Sequence, residues 1–165
     1  TLLLSVALYI VVPVLIAPPR GAVDRFTRVL VALDGSADAD RALPMARLVA
    51  EGAGATVHLV IVCDAEPAFA RTSEDAAAIA ERLTDAAAEH LHAVGLPGEE
   101  TAVVSGHPVD SILEYAEEQG CDLIAMATHG RTGRPRLDLG SVADGVLASA
   151  DRPVLLVPVR GQVVG

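Results

Sequence analysis

Five runs of Val, Leu, Ile and Ala divide this chain, and between them apolar residues recur every three or four positions. The runs fall at residues 28–33, 56–62, 101–105, 122–127 and 153–159. They are short and show little polar alternation, which marks strands buried on both faces. The intervening segments follow a helical period: positions 39, 42, 43, 46, 49, 50 and 53; then Ile79, Leu83, Ala87, Leu91 and Val94; then Val109, Ile112, Leu113 and Ala116; then Val142, Val146, Leu147 and Ala150. The punctuation agrees. Ser36 suits an N-cap, with Asp38 and Asp40 in the first turn, and Gly52 and Gly54 end that helix. Residues 72–75 (Thr-Ser-Glu-Asp) open the second helix, and Gly95 and Pro97 close it. Pro108 fits the first turn of the third. Ser141 with Asp144 three residues on predicts a capped start for the fourth. Strands alternating with helices predict an α/β fold: an open five-stranded parallel sheet with helices on both faces.

Sheets of this kind bind ligands beyond the carboxyl ends of their strands, near the point where strand order reverses. Asp34, Val62 and the segment 127–141 all fall at such ends. That segment reads Ala-Thr-His-Gly-Arg-Thr-Gly-Arg-Pro-Arg-Leu-Asp-Leu-Gly-Ser and holds three of the chain's 12 basic residues, Arg131, Arg134 and Arg136, although the formal net charge is -10. Glycines let backbone N–H groups approach a ligand, and a helix N-terminus attracts anions. A phosphate site follows, with N–H donors at Gly130 and at the helix start, the Ser141 hydroxyl, and the Arg131 guanidinium fork. Simpler roles stand beside these. Asp34 can cap the first helix, Ser141 can act as an N-cap alone, and His129 can make only a backbone contact. Gly133 can merely shape the loop, and Arg134 and Arg136 can be solvated.

Residues 1–17 carry no charge. A spanning helix needs about 20 apolar residues, with a range of about 17–25, so this stretch reads as the end of a transmembrane helix. Arg20, Arg25 and Arg28 follow it, which puts the next domain on the cytoplasmic side. Residues 18–27 read as a linker, 28–160 as the domain and 161–165 as a tail. A signal-like segment and a packed first helix are the competing readings. The chain begins with Thr, as the tail of a longer protein would.

Composition narrows the rest. The 165 residues suit one domain. At 52% apolar but 2% aromatic, the core must be built from small aliphatic side chains. The balance of 22 acidic against 12 basic residues argues against a nucleic-acid partner. Cys63 and Cys121 lie in or beside apolar runs, far from any C-x-x-C spacing, and read as buried reduced thiols. His90 and His92 do not share a helix face and read as surface residues, so the sequence makes no case for a metal site.

Several pieces, in order and spacing, carry a family resemblance. They are Val29-Leu30-Val31-Ala32-Leu33-Asp34-Gly35-Ser36; Gly106-His107-Pro108 with Ile112 and Ala116; Asp122-Leu123-Ile124; Thr128-His129-Gly130-Arg131-Thr132-Gly133; Leu139-Gly140-Ser141-Val142-Ala143; and Pro153-Val154-Leu155-Leu156-Val157. Over residues 28–159 the chain resembles a universal stress protein domain. The resemblance implies an adenine nucleotide alpha hydrolase-like, Rossmann-like fold. The ATP-binding branch carries G-x2-G-x9-G-[ST]; Gly130, Gly140 and Ser141 fit it, and Ala127 stands where the first glycine would be. Carried over, ATP, with Mg²⁺ as its accompanying ion, would have Asp34 on its ribose or adenine side. Ala32, Leu33, Val62 and Met126 would wall the base, and Gly130, Arg131, Gly140, Ser141 and Val142 would surround the phosphates, with Ala127 and His129 beside them. The resemblance also implies a homodimer through the last strand, Val154, Leu155, Leu156 and Val157. The function expected is a nucleotide-binding stress-response regulator, hung from a membrane transporter if residues 1–17 span. The alternative is a dimeric interaction module that binds no nucleotide, for which Ala127 speaks. No His, Glu or Lys is placed as a general base, so at most slow ATP hydrolysis is expected.

Overall fold

The computed structural model describes residues 13–18, 24–63, 72–128 and 140–159. Its strands are β1 (Val14–Ile16), β2 (Arg28–Leu33), β3 (Thr56–Cys63), β4 (Glu100–Ser105), β5 (Leu123–Thr128) and β6 (Val154–Pro158). Its helices are α1 (Ala42–Ala53), led in by a 3₁₀ turn at Ala39–Arg41, α2 (Ser73–Val94), α3 (Pro108–Glu118) and α4 (Ser141–Ser149). The five predicted strands and four predicted helices all form, with ends shifted by a residue or two, apart from the 3₁₀ lead-in.

One sheet runs β1-β6-β5-β2-β3-β4. Strands β2 to β6 are mutually parallel. From β2 the chain winds outward through β3 and β4, then returns to the other side of β2 for β5 and β6. Strand order therefore reverses between β2 and β5. Alternate residues of β2 serve opposite core layers. Val29 and Val31 join Leu59 and Leu123 in the layer that also takes up Leu43 and Ala46 of α1 and Leu91 of α2. Leu30 joins Val60, Ile124, Ile112 of α3 and Val146 of α4 on the other face. All three β2 residues are fully buried, which is why the strand shows no polar alternation. A small residue brings the two helices of that face close: a Cβ on Gly145 of α4 would lie 2.7 Å from a Val109 methyl of α3.

Two expectations need correction. The helix expected over residues 1–17 does not reach residue 17, because Val14–Ile16 form a strand antiparallel to β6. An apolar Val-Leu-Ile segment suits either state, and the open edge of β6, with its unpaired N–H and C=O groups, draws it into the sheet. Residues 1–12 lie outside the described residues, and among the described residues no helix is long and apolar enough to cross a membrane. The last strand, in turn, is not a free edge. β1 covers it, so the sheet is mixed and six-stranded.

Candidate functional site

At the carboxyl ends of β2, β3 and β5 the chain leaves a cleft of about 240 Å³. It opens at the reversal of strand order, where a parallel sheet parts its connections to opposite faces. Ala32 and Leu33 of β2, Val62 of β3 and Met126 and Ala127 of β5 line it, together with Asp34 and with Gly140, Ser141 and Val142 at the start of α4. These are nine of the twelve expected site residues, drawn from four separate segments. The other three, His129, Gly130 and Arg131, lie outside the described residues, as do Gly133, Arg134 and Arg136.

The turn after β2 is self-capped. Asp34 Oδ1 accepts a hydrogen bond from the Ser36 N–H at 2.9 Å, and Ser36 Oγ accepts one from the Ala39 N–H at 3.1 Å. Gly35 takes φ +80°, which lets the chain turn sharply there. Asp34 is thus a capping residue through one oxygen while its side chain stays exposed at the cleft.

The start of α4 is built differently from the expected Ser141 cap. Gly140 is the N-cap, at φ 88° and ψ 141°, and its carbonyl accepts the Asp144 N–H at 3.0 Å. That backbone is nearly closed to residues with a Cβ, so Gly140 takes the cap position and Ser141 becomes the first helical residue. Glycine supplies no side-chain cap, and among the described residues none is found. Its first N–H groups, on Ser141, Val142 and Ala143, have no acceptor within the helix and sit at the cleft with the positive end of the helix dipole. The N-terminus of α3 also borders the cleft through Pro108; its N-cap, His107, makes no side-chain cap bond to the helix backbone, its Nδ1 lying 3.5 Å from Asp110 Oδ2 instead.

Ala39, Pro108, Ile112 and Ala143 complete the lining. In the sequence Ala39 and Ile112 read as helix-face residues and Pro108 as a helix start, and Pro108, Ile112 and Ala143 also fall in the pieces that carry the resemblance, but none is expected at the site. Two of them carry a signal in their size: Ala39 and Ala143 leave room where larger side chains would fill the cleft.

Around the site, His90 is not the free surface residue expected. Its Nε2 lies 2.8 Å from Asp40 Oδ1, tying α2 to the 3₁₀ turn. Both cysteines are free and buried, as expected. Burial pushes the Cys63 thiol up. Burial, reinforced by the Asp122 carboxylate, pushes Cys121 up to about 11. Neither is primed as a nucleophile at neutral pH.

The comparisons with known proteins agree with this architecture. The model of the universal stress protein family matches residues 25–158. Universal stress protein MJ0531 of Methanocaldococcus jannaschii is 33% identical over 145 residues, 84% of this chain and 85% of its own. The solved structure of hypothetical protein MJ0577 superposes with a TM-score of 0.67 at 28% identity, covering 83% of this chain and 99% of that one. A universal stress protein in complex with cAMP superposes with a TM-score of 0.54 at 26% identity, over 81% of this chain and 98% of its own. The chain belongs to the universal stress protein family.

Proposed function

We propose that the cleft binds an adenine nucleotide and that the domain is a nucleotide-dependent regulatory module. One observation carries this reading: four segments distant in sequence converge at the reversal point of the sheet and leave an apolar slot beside a helix N-terminus whose N-cap is a glycine. Leu33, Val62 and Met126 offer an apolar wall to a purine. The second oxygen of Asp34 can accept a ribose hydroxyl. The first N–H groups of α4 and the Ser141 hydroxyl can hold phosphate oxygens. The related structure with cAMP shows that a family relative holds an adenine nucleotide.

The cleft's size bears on what it holds. Whole small-molecule pockets run from about 300 to 1,000 Å³, so ≈ 240 Å³ suits the nucleoside portion. The phosphates would then run along the α4 start toward segment 129–139, and ATP is the ligand that would use Gly130 and Arg131 there. Ala127 forms part of the wall and leaves the slot open, which favours binding over the module that binds none. Asp34 is the one titratable side chain among the described lining residues, which favours binding over dedicated turnover. Membrane attachment forms no part of the proposal, since Val14–Ile16 are taken into the sheet. The homodimer that accompanies the reading would pair β6 with β6 of a second copy, an edge β1 holds here.

Isothermal titration with ATP, ADP, AMP and cAMP tests the proposal. A ligand at 100 times its dissociation constant should stabilise the domain by about 2.7 kcal/mol, readable as a higher Tm. No heat and no Tm shift with any of the four at millimolar concentration would end the nucleotide reading.

A further inference from the structure

β1 is held by the sheet on different terms from the other strands. It is three residues long and antiparallel, pairing Val14 with Leu156, Leu15 with Leu155 and Ile16 with Val154. The other pairings are parallel and run over four to six residues. Leu15 stays 50% exposed, whereas its partner Leu155 is 5% exposed. Only Ile16 reaches the core layer beneath α3 and α4. β1 therefore gains little burial of its own while satisfying the main chain of a wholly apolar strand.

Strand β6 is the kind of edge that proteins cover. Val154, Leu155, Leu156 and Val157 are all buried and carry no charge to discourage pairing. Val-Leu-Leu-Val also reads the same in both directions. A twofold axis between Leu155 and Leu156 would set Val154 opposite Val157 of a second copy and Leu155 opposite Leu156 of that copy. Such pairing is isologous and antiparallel, the direction β6 already accepts from β1. It would match four apolar residues where β1 matches three.

We propose that β1 is a displaceable cover of the β6 edge, and that a second copy of this chain pairs β6 to β6 when β1 leaves. The inference rests on the homodimer in the proposed reading and adds its control. β1 competes well despite its length, because its tether gives it a millimolar effective concentration at the edge. Both copies must be open to pair. If each cover is closed about 90% of the time, the dimer dissociation constant rises about 100-fold. Anything that draws residues 14–16 away from the sheet would thus convert monomer to dimer.

Sedimentation velocity on the full chain over a wide concentration range tests this with two variants. Leu15→Pro breaks β1 at a half-exposed position, and its fold is checked by cooperative thermal unfolding. Leu15→Cys with Leu155→Cys places two thiols directly opposite each other, so oxidation clamps β1 in place; the native cysteines are buried and do not compete. The expected result is tighter dimerisation of Leu15→Pro than of the parent, by about tenfold or more, and an oxidised clamp that stays monomeric until reduced. Equal dimerisation of parent, Leu15→Pro and clamp would overturn the cover while leaving a dimer. A chain monomeric in every arm would overturn the pairing of β6 itself. Loss of a parental dimer in Leu15→Pro would mean that β1 pairs between copies, which also overturns the proposal. None of these readouts depends on nucleotide binding. Should Leu15→Pro not fold, the oxidised and reduced clamp decide the matter alone.

Discussion

At the amino ends of the strands, Asp122 accepts hydrogen bonds from the Thr27 N–H at 2.8 Å, the Thr27 hydroxyl at 2.7 Å and the Arg28 N–H at 3.1 Å. Three arginines there close helix C-termini by donating to backbone carbonyls, Arg25 to Ala53, Arg47 to Val94 and Arg28 to Gln119, and Arg152 donates to the Cys121 carbonyl between α3 and β5. At the carboxyl ends the helix starts of α3 and α4 carry no side-chain cap, and Asp34 remains exposed. Guanidinium groups suit the negative end of a helix dipole, so the helix C-termini there are answered from within, although the buried Nδ1 of His58 in β3 has no hydrogen-bond partner among the described residues. At the other end, neither His107 nor Gly140 caps with a side chain the helix it opens. The contrast separates polar groups that hold the fold from polar groups available to a ligand, and substitution at each end should separate stability from binding.

The largest effect belongs to the amino end. Arg47 grips Glu99 with two bonds, Nε to Oε1 at 2.6 Å and Nη2 to Oε2 at 2.8 Å, and the Leu96 N–H adds a third at 2.9 Å. Burial works against the charge on Glu99, yet the Arg47 and Leu96 hydrogen bonds and the Arg47 charge hold its carboxyl below the usual range. Removing one partner of such a pair leaves the other charge stranded, so Glu99→Gln should cost about 3 kcal/mol at pH 7 by urea unfolding. Because the folded value is depressed, this stability is present above the ordinary carboxylate value. It is lost as pH falls through the lower folded value. The parent and the variant should therefore converge in acid, below about pH 4.3. A gap that stays constant down to the acid transition would show that packing, not charge, holds this corner.

Asp122→Ala comes next. It strips three donors of their shared acceptor at a half-buried site and should cost about 2 kcal/mol. Nucleotide affinity should not change, since β5 carries the cleft residues at its opposite end. An affinity loss equal to the stability loss would erase the distinction between the two ends.

How far the sequence foretells these arrangements depends on the range of the interaction that decides them. The runs at β2 and β3 and the stripes of α1 and α2 are local patterns, and the structure returns them within a residue or two. The cleft is legible for the same reason: Asp34, Val62 and Gly140 each sit just past a recognisable strand or just before a helix. β1 is not legible, because Val14-Leu15-Ile16 is equally at home in a membrane helix and in a strand. What decides is an open edge formed by residues 154–158, far along the chain. The arginine caps are hidden likewise, with Arg28 and Gln119 separated by 91 positions. Gly140 misled in a smaller way. Ser141 is the better cap by composition, but the backbone must turn through a conformation that glycine tolerates, and it does so one residue earlier.

The smallest effect on stability should come from the carboxyl end, and it sharpens the contrast most. Asp34→Ala loses one turn hydrogen bond at an exposed position while the Ser36–Ala39 bond remains, so its stability cost should be about 0.5 kcal/mol. If Asp34 also accepts a ribose hydroxyl, the same change should weaken adenine-nucleotide binding about tenfold, or about 1.4 kcal/mol. Asp34→Asn discriminates further. Its amide oxygen can still accept the Ser36 N–H, so the turn survives, but the charged acceptor for the hydroxyl is gone. Titration calorimetry should then show weakened binding at parental Tm. Parental affinity in both variants would make Asp34 a turn residue alone and leave binding to the apolar wall and the α4 N–H groups.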